Sequence, residues 1–551
     1  MKIPSTQALQ LAVIAHKNGE LEKAERFYRA ILDIRGDFAV AKTDSGITAA
    51  AHNNLGFIQQ HQGDLDAAIK SYREAVRINP GYYEAHNNLG YALQLKGKGR
   101  AAIESFRKAI QCKPAFIEAY HNLGQILRKS GSLKDSADCY QQIVNLIPDN
   151  PDAHNALGAA LHLKGDLEAA ISCFKEAVRL DPRYSEAYNN MGGAQLALGD
   201  PDAAIASCKR AIEIRRDYTN AYQNLGHALS SKGDNEAAID AYQQALALEP
   251  GSAKVYNSLG NAMRAEGRYE EALQYFDVLN EPEFIKALES NLDKNNFWLN
   301  TKSQVLECLF HLGRYDELQE RLGRLADSGD INRRVSAVSA YVCHQLDIEN
   351  RHQFCRNPME FIHIGNLRDH IVNVPGFISG LLQEGFNENQ VWEPEHGVTK
   401  SGFQTPNTIF EAGEYCALLE KFLREEIAAY QEKFRTADCA FINSWPDEFN
   451  LKGWHVRLVK SGYQQSHIHP SGWLSGVVYL KTLKSDSDAG AIEFSLHGYD
   501  LPVLNSDIPT RVHRPKSGEI ALFPSSLFHR TIPFSEETER CVIAFNLVPA
   551  S

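Results

Sequence analysis

Two histidines, His467 and His469, stand at alternate positions in SHIHPSGWLSGVVYL, residues 466–480. Alternate residues of an extended chain face the same side, so both imidazoles can approach one point. A third histidine, His529, lies in the strand-like segment LFPSSLFHRTIPF. Neutral imidazole is a common ligand of iron, nickel, copper and zinc. We therefore predict that His467 and His469 face a divalent metal, and His529 is a candidate for a further ligand.

An arginine follows the third histidine along the chain. Arg540 begins the apolar segment RCVIAFNLV, in which Arg540, Val542, Ala544 and Asn546 would share one face of a strand. A guanidinium that points into an apolar interior requires an anion. A carboxylate that accepts two parallel N–H bonds is its natural partner. The strand therefore predicts a carboxylate-binding site.

Short strands must position these side chains. From about residue 440 the chain carries segments rich in β-branched and aromatic residues, separated by turns such as PSG, DAG and KSG. The segments are GWHVRLV, SGVVYLK, AIEFSL, GEIALF and RCVIAFNLV. Residues 410–436 have apolar side chains at helical spacing. This pattern predicts a β-sandwich or barrel with helical support.

The preceding part of the chain repeats itself every 34 residues, and the frame restarts at Ala51, Ala85, Ala119, Ala153, Ala187, Ala221 and Val255. One more copy fits residues 7–40, which makes eight. The period is that of tetratricopeptide repeats. A glycine such as Gly90 holds one frame position, where a missing side chain lets two helices approach closely. Each copy is predicted to be a helical hairpin that stacks on its neighbours into a solenoid with a concave groove.

An asparagine recurs just before the Leu-Gly or Met-Gly pair of the repeats. The positions are Asn54, Asn88, Asn122, Asn190 and Asn224. This row resembles the asparagine ladder in the repeats of O-GlcNAc transferases. A carboxamide can donate to and accept from a peptide backbone at once, so the resemblance implies that the groove binds an extended peptide. Simple solvation of these side chains, or self-association of the repeats, is the alternative interpretation.

The order of a close histidine pair, a distant histidine and then an arginine resembles that of Fe(II)/2-oxoglutarate dioxygenases. Residues from about 358 to 549 are similar to the 2-oxoglutarate/Fe(II) oxygenase domains that follow tetratricopeptide arrays in some bacterial proteins. The similarity is carried by NPMEFIHIGNL, SHIHPSGWLSGVVYL, LFPSSLFHRTIPF and ERCVIAFNLVP. It implies a double-stranded β-helix and a requirement for Fe(II), 2-oxoglutarate and O2.

The resemblance also implies roles for individual residues. His467 matches the first histidine of the family's close pair, and His529 matches the distal metal ligand. Arg540 matches the basic residue that binds the far carboxylate of 2-oxoglutarate. Tyr479 is similar to a tyrosine that hydrogen-bonds the same carboxylate in prolyl-hydroxylase relatives, although a strand tyrosine can equally serve packing alone.

His469 departs from the commonest iron site, which has a carboxylate at that position. Either His469 is a third imidazole ligand, or it is a residue outside the ligand set or the mark of a site that has lost activity. Asp486, Asp488 and Glu493 are acids that could complete the site instead, and their spacing does not choose among them.

Two other functions remain open at this point. A cupin-type metal enzyme shares the fold and an H-x-H pair, and Gly518, Pro524 and His529 have cupin-like spacing, but a cupin needs neither 2-oxoglutarate nor Arg540. A non-catalytic interaction scaffold is the second alternative. The favoured hypothesis is a dioxygenase that hydroxylates a protein or peptide bound by the groove.

The chain is predicted to contain an all-α solenoid of about eight repeats over residues 1–290 and a degenerate helical hairpin with a linker over 291–357. A double-stranded β-helix (jelly-roll) domain with supporting helices is predicted over 358–551. The net charge of −12 argues against binding to nucleic acid or anionic membranes. No apolar run approaches the roughly 20 residues of a membrane span. Ten cysteines without a C-x-x-C pair and the lack of a secretory signal predict a cytoplasmic location.

Overall fold

The computed structural model describes residues 4–33, 45–281, 301–385, 391–392, 398–405, 407–483, 487–535 and 538–550. Two compact units make up the chain, Met1–Lys232 and Gly233–Ser551. The first unit is entirely helical in its described part. The second begins with helices and ends with a β-sheet domain.

The helices of the first unit follow the predicted repeat pattern, two for each of six copies and the first helix of a seventh. They are α1 (Ser5–Lys17), α2 (Leu21–Asp33), α3 (Ser45–His61), α4 (Leu65–Ile78), α5 (Tyr83–Leu95), α6 (Gly99–Cys112), α7 (Ile117–Lys129), α8 (Leu133–Leu146), α9 (Pro151–Lys164), α10 (Leu167–Leu180), α11 (Ser185–Ala197), α12 (Pro201–Ile214) and α13 (Thr219–Ser231). Asp64 begins α4 by accepting a hydrogen bond from the backbone N–H of Ala67 at 3.0 Å. The turn before it contains Gly63 at φ 85°, a left-handed conformation that favours glycine.

Close packing inside each hairpin explains the recurring glycine. A Cβ atom at Gly90 would lie 2.7 Å from the ring of Phe106, and one at Gly56 would lie 2.9 Å from the ring of Tyr72. Both distances are too short for carbon atoms. The two aromatic rings are fully buried in the space that the glycines leave. The predicted close approach of paired helices is therefore confirmed.

The second unit contains nine described α-helices, apart from short 3-10 helices. They are α14 (Asn235–Leu248), α15 (Ala253–Ala265), α16 (Tyr269–Asn280), α17 (Thr301–His311), α18 (Tyr315–Asp327), α19 (Arg333–Gln345), α20 (Val374–Gly385), α21 (Glu414–Phe434) and α22 (Ala440–Asn443). The helix predicted over residues 410–436 is α21. The pair α17 and α18 corresponds to the predicted degenerate hairpin. The predicted boundary at residues 290 and 291 lies outside the described residues, so the three-part division stays a prediction.

Ten strands form one antiparallel, curled sheet of the jelly-roll type. They are β1 (His363–Asn366), β2 (Val391–Trp392), β3 (Thr399–Gln404), β4 (Phe449–His467), β5 (Leu474–Lys481), β6 (Ile492–Ser495), β7 (Thr510–His513), β8 (Glu519–Pro524), β9 (Phe528–Thr531) and β10 (Arg540–Pro549). The order is β1-β8-β5-β10-β4-β9-β6-β7, and β3 pairs with β2 and also with β4. The five predicted strands are β4, β5, β6, β8 and β10.

The two faces of this sheet pack differently. Along β10, Cys541, Ile543 and Phe545 face a core shared with α20, α21 and the short α22. Val542 and Ala544 alternate with them and face a second core between the curled parts of the sheet. The sheet therefore has a helix-facing side and an interior side, as period-two alternation predicts.

Among the helices that the structure describes, none is both long enough and apolar enough to cross a membrane.

Candidate metal and carboxylate site

The three predicted histidines converge. One ring nitrogen from each of His467, His469 and His529 lies within 4.8 Å of the corresponding nitrogens of the other two. The ring centroids are 4.2 Å apart for His467 and His529, 4.9 Å for His467 and His469, and 5.1 Å for His469 and His529. These separations suit three ligands of one metal ion.

Neighbouring strands and a turn bring the histidines together. His467 is the last residue of β4 and is paired directly with His529 of β9. His469 lies beyond the end of β4. Its backbone N–H donates to the carbonyl of Ser525 at 3.0 Å, and its carbonyl accepts from Gly472 at 2.9 Å. A turn rather than the strand itself therefore holds the second histidine.

In two of the three imidazoles, a hydrogen bond to a backbone carbonyl determines which ring nitrogen is free to bind a metal. Nδ1 of His467 lies 2.7 Å from the carbonyl oxygen of Gln465, and Nδ1 of His529 lies 3.1 Å from that of Leu527. A carbonyl oxygen can only accept, so each Nδ1 carries the proton. The lone pair of each ring is then on Nε2, which is the arrangement of a metal-binding histidine with an oriented second nitrogen.

Burial keeps the three rings neutral. It lowers the pKa of His467 to about 4. It also lowers the pKa of His469 and His529 well below the ordinary value, and repulsion from the neighbouring imidazoles adds to the effect. Neutral imidazoles are the ligand form, so the site does not have to lose protons at neutral pH.

No carboxylate joins the histidines in the part of the chain that the structure describes. Asp488 accepts from Nε of Arg514 at 2.7 Å, and Glu493 forms two bonds with Arg530 at 2.7 and 2.9 Å. Both acids are thus held by exposed arginines away from the imidazoles. Asp486 lies outside the described residues. The described residues would hold a metal through three neutral ligands.

The predicted inward-facing guanidinium is present. Arg540 is 2% exposed, and its Nε donates to the carbonyl of Gly490 at 3.0 Å. Its Nη1 and the hydroxyl of Tyr479 are both buried and have no hydrogen-bond partner among the described residues. The guanidinium carbon lies 5.4 Å from the Tyr479 ring centroid. Burial lowers the pKa of Arg540 because the charge is costly in this environment.

No described acid forms an ion pair with Arg540, so the structure offers its charge no internal carboxylate. The guanidinium and the three histidines line one cavity. Its other walls are Trp454, Gln464, Gly476, Val477, Ile492, Phe523, Thr531 and Ala544. A cation site and an unneutralised guanidinium therefore share a largely apolar enclosure.

Sequence reasoning identified few of these walls, and two that it missed, Trp454 and Gln464, lie on β4. The Trp454 ring centroid is 5.5 Å from that of His469. Trp454 alternates with Val456 and Leu458, which face the same interior core. The period-two alternation within GWHVRLV could therefore have identified Trp454 as an inward-facing residue. Gln464 lies beyond an irregularity in the pairing of β4, where alternation no longer predicts direction.

The asparagines of the repeats lie close to one another in successive copies. Nδ2 of Asn88, Asn122 and Asn190 donates at 3.0 Å to Oδ1 of Asn53, Asn87 and Asn155, respectively. Asn224 donates in the same way to Asn189 at 2.9 Å. Asn54 instead donates to the hydroxyl of Tyr28 at 3.2 Å. One N–H of each predicted ladder residue is thus used inside the repeat stack.

Comparison with known proteins supports both parts of the architecture. A family model described as "Putative 2OG-Fe(II) oxygenase" matches residues 452–546, which include the three histidines, Tyr479 and Arg540. Tetratricopeptide-repeat models match residues 61–97, 83–116, 124–165, 160–199, 183–248 and 224–281. A search of curated proteins found no match.

Several solved structures are similar to parts of the repeats. A structure of MamA is 27% identical, with 31% of this chain and 94% of MamA covered and a TM-score of 0.28. A tetratricopeptide repeat protein from Parabacteroides merdae is 17% identical, with 47% of this chain and 98% of that protein covered and a TM-score of 0.36. YrrB, described as a TPR protein with an unusual peptide-binding site, is 19% identical, with 34% of this chain and 96% of YrrB covered and a TM-score of 0.29.

The histidine cluster and Arg540 thus lie within the segment that the oxygenase model matches. The repeated helical hairpins lie where the tetratricopeptide models match. The chain carries tetratricopeptide repeats followed by a C-terminal domain that matches the 2OG-Fe(II) oxygenase family.

Proposed function

We propose that the chain is a 2-oxoglutarate- and Fe(II)-dependent dioxygenase that hydroxylates a protein or peptide recruited by its repeats. His467, His469 and His529 would hold the metal through Nε2 of at least the first and third rings. Arg540 and Tyr479 would bind the far carboxylate of 2-oxoglutarate. When bound, Fe(II) and 2-oxoglutarate supply the chemistry by which O2 oxidises a C–H bond. The cytoplasmic location stays a prediction.

The observation that carries this proposal is the buried, unneutralised guanidinium in the cavity of the three histidines. A divalent metal and Arg540 would together bring three positive charges into a mostly apolar cavity, and the described imidazoles bring none of opposite sign. Such a cavity favours a ligand with two negative charges. A dicarboxylate can approach the metal with one end and Arg540 with the other. A cupin-type site would leave Arg540 without this role.

The described residues would act by binding and by excluding water. Nη1 of Arg540 and the Tyr479 hydroxyl are two buried groups able to donate to one carboxylate. Ile492, Phe523 and Trp454 line the cavity with apolar surface. Interactions with charge are stronger where water is excluded, so these walls would strengthen the binding of the cosubstrate as well as shield the reaction.

Peptide recruitment rests on the asparagines of the repeats. Their pairing uses one N–H of each carboxamide. Oδ1 of Asn88, Asn122 and Asn224 has no partner within the described residues and remains able to accept from a peptide backbone N–H. Because the repeats and the oxygenase domain belong to one chain, a peptide bound by the repeats would have a raised effective concentration at the site.

The test is succinate formation from 2-oxoglutarate in air, with and without Fe(II), for the wild type and Arg540→Ala. We expect Fe(II)-dependent succinate from the wild type and none from the variant. Arg530→Ala is the matched control, because Arg530 is an exposed arginine paired with Glu493 in the same domain. Metal binding without any binding of 2-oxoglutarate by the wild type would contradict the proposal and favour a cupin-type site.

The second part is tested by peptide capture. The triple variant Asn88→Ala, Asn122→Ala and Asn190→Ala should retain Fe(II)-dependent turnover of 2-oxoglutarate without a peptide. It should lose binding to peptides that the wild type captures and hydroxylates. Unchanged capture by the triple variant would show that the asparagines do not recruit the substrate.

A further inference from the structure

The two segments that carry the candidate metal ligands rest against one helix. Ile468, between His467 and His469, and Phe528, immediately before His529, pack together with Ala337 of α19. The three side chains are 6%, 1% and 2% exposed, respectively. Neighbouring residues of an extended chain face opposite sides, so Ile468 and Phe528 point away from the imidazoles. Helix α19 therefore contacts the back of both ligand segments.

The same helix holds a loop that covers this contact. The hydroxyl of Tyr341 donates to the carbonyl of Pro502 at 2.8 Å. The Gln345 side chain accepts from the backbone N–H groups of Leu504 and Asn505 at 2.7 and 2.8 Å. Together these bonds fix the loop between β6 and β7 on α19.

A strained turn lies at the start of that loop. Tyr499 and Asp500 have φ values of 56° and 54°, a conformation that non-glycine residues adopt only when surrounding contacts hold it. The Tyr499 ring packs edge-on against Phe528 at 4.8 Å, and the Arg334 guanidinium lies 4.4 Å from the Tyr499 ring centroid. Contacts of α19 therefore reach Phe528 directly and through Tyr499.

Further contacts anchor α19 at its beginning. Nε of Arg333 donates to the carbonyl of Gly472 at 2.9 Å, in the turn that follows His469. Arg334 pairs at 3.4 Å with Glu307, a buried acid that also pairs with Arg264 at 2.7 Å. Displacement of α19 would remove one of the two cations that compensate the buried charge of Glu307, so this network resists displacement of the helix.

We propose that α19 is a positioning element of the metal centre and that Ala337 is its positioning residue. Ala337 is the small side chain at which both ligand segments meet the helix. Its size would determine the spacing between the backbone of His467 and His469 and that of His529. The inference rests on the proposed function only in requiring that the three histidines bind a divalent metal. It makes α19 part of the oxygenase site, whereas the sequence assigned it to a capping and linker region.

The test measures Co(II) binding to the full chain by calorimetry, together with the visible absorption of the bound Co(II), which reports ligand geometry. Ala337→Leu should push the ligand segments apart, weaken Co(II) binding by about tenfold and shift the absorption bands. Adding Ile468→Ala removes as many carbon atoms as the leucine adds, and should restore both readouts. Rescue by the second substitution would not follow from a general loss of stability.

Ala326→Leu on α18 is the matched control, because Ala326 is 3% exposed but outside the cluster behind the ligands. It should destabilise the fold without changing the Co(II) affinity. If Ala337→Leu does not fold, Ile468→Val replaces it, with Ile520→Val at another buried isoleucine as control, and only the first should alter the absorption bands. Normal Co(II) binding and spectra in the Ala337 or Ile468 variants would overturn the positioning role alone. Failure of the wild type to bind Co(II) would overturn it together with the proposed function.

Discussion

Buried polar groups have different surroundings in the repeats and in the β-sheet domain. In the repeats, the part-buried Asn88 and Asn122 donate to the buried Asn53 and Asn87 of the preceding copies. In the β-sheet domain, Nη1 of Arg540 and the hydroxyl of Tyr479 are buried without a described partner. Hydrogen-bonded polar groups stabilise a fold, whereas unpartnered buried ones destabilise it.

The buried polar groups of the two regions therefore differ in role. The paired asparagines serve the stacking of repeats whether or not a peptide is bound. The guanidinium and phenol of the β-sheet domain leave buried donors without an acceptor, and the proposed dicarboxylate would supply that acceptor. Substitutions in the domain should therefore remove cosubstrate binding with little loss of stability, whereas those in the repeats should also lower the stability of the fold.

The largest expected effect is on metal binding. His529→Ala should weaken Fe(II) or Co(II) binding by about 100-fold or more, because it removes one of the three candidate ligands that the structure describes. Anaerobic calorimetry measures this affinity. His513→Ala is the matched control, since His513 lies outside the histidine cluster and pairs with Glu519 of the next strand along the chain. Equal loss in both variants would mean that the histidine cluster is not the metal site.

Arg540→Met should distinguish binding from stability most directly. We expect 2-oxoglutarate binding to fall about 100-fold, equivalent to roughly 2.7 kcal/mol, with metal affinity retained. The temperature of unfolding should be unchanged or higher, because an uncompensated buried charge is replaced by an apolar side chain. Calorimetry and thermal unfolding measure the two quantities. A marked loss of stability would show that Arg540 is a structural residue after all.

Acid should destabilise the β-sheet domain. Burial lowers the pKa of His455 and His467 to about 4, and that of His469 and His529 well below the ordinary value of about 6.5. Below about pH 6.5 the unfolded chain binds protons that the folded domain excludes, so the free energy of unfolding falls as the pH drops from about 6.5 towards 4. The total loss should be on the order of several kcal/mol.

Tryptophan fluorescence can follow this acid effect in the second unit, because all five tryptophans lie beyond residue 290. The midpoint of urea unfolding should decrease steadily between pH 7 and pH 4.5 in metal-free protein. A midpoint that stays constant over this range would contradict the burial of neutral imidazoles in the domain.

The smallest effect is expected in the repeats. Asn122→Ala leaves Oδ1 of Asn87 without its donor, and Asn87 is 3% exposed. The cost to the free energy of unfolding should be about 1–2 kcal/mol, measured by circular dichroism. Asn145→Ala, which removes an exposed hydrogen bond with Gln141, should cost less than about 0.5 kcal/mol. Equal costs would remove the structural role of the asparagine pairs.

Prediction from the sequence succeeded where a sequence period determines which residues are neighbours in space. The glycine positions of the repeats predicted the close helix pairs, and alternation along β10 predicted that Arg540 faces inward. It failed for short strands with little apolar content, such as the largely exposed β7. It also did not foresee that the recurring asparagines bond to the residue one position earlier in the preceding copy.

The sequence by itself determined the repeated hairpins, the strand-rich domain and the residue types of the candidate site. The hairpins and the strands follow from local periodicity, because a repeat of 34 residues or an alternation of two residues determines which side chains share a face. Tertiary structure alone decided that Ser525 holds the turn of His469 and that carbonyls orient the rings of His467 and His529. It also decided that Ala337 supports both ligand segments from behind. Such contacts join residues distant along the chain, and they depend on how the sheet curls and on where α19 packs.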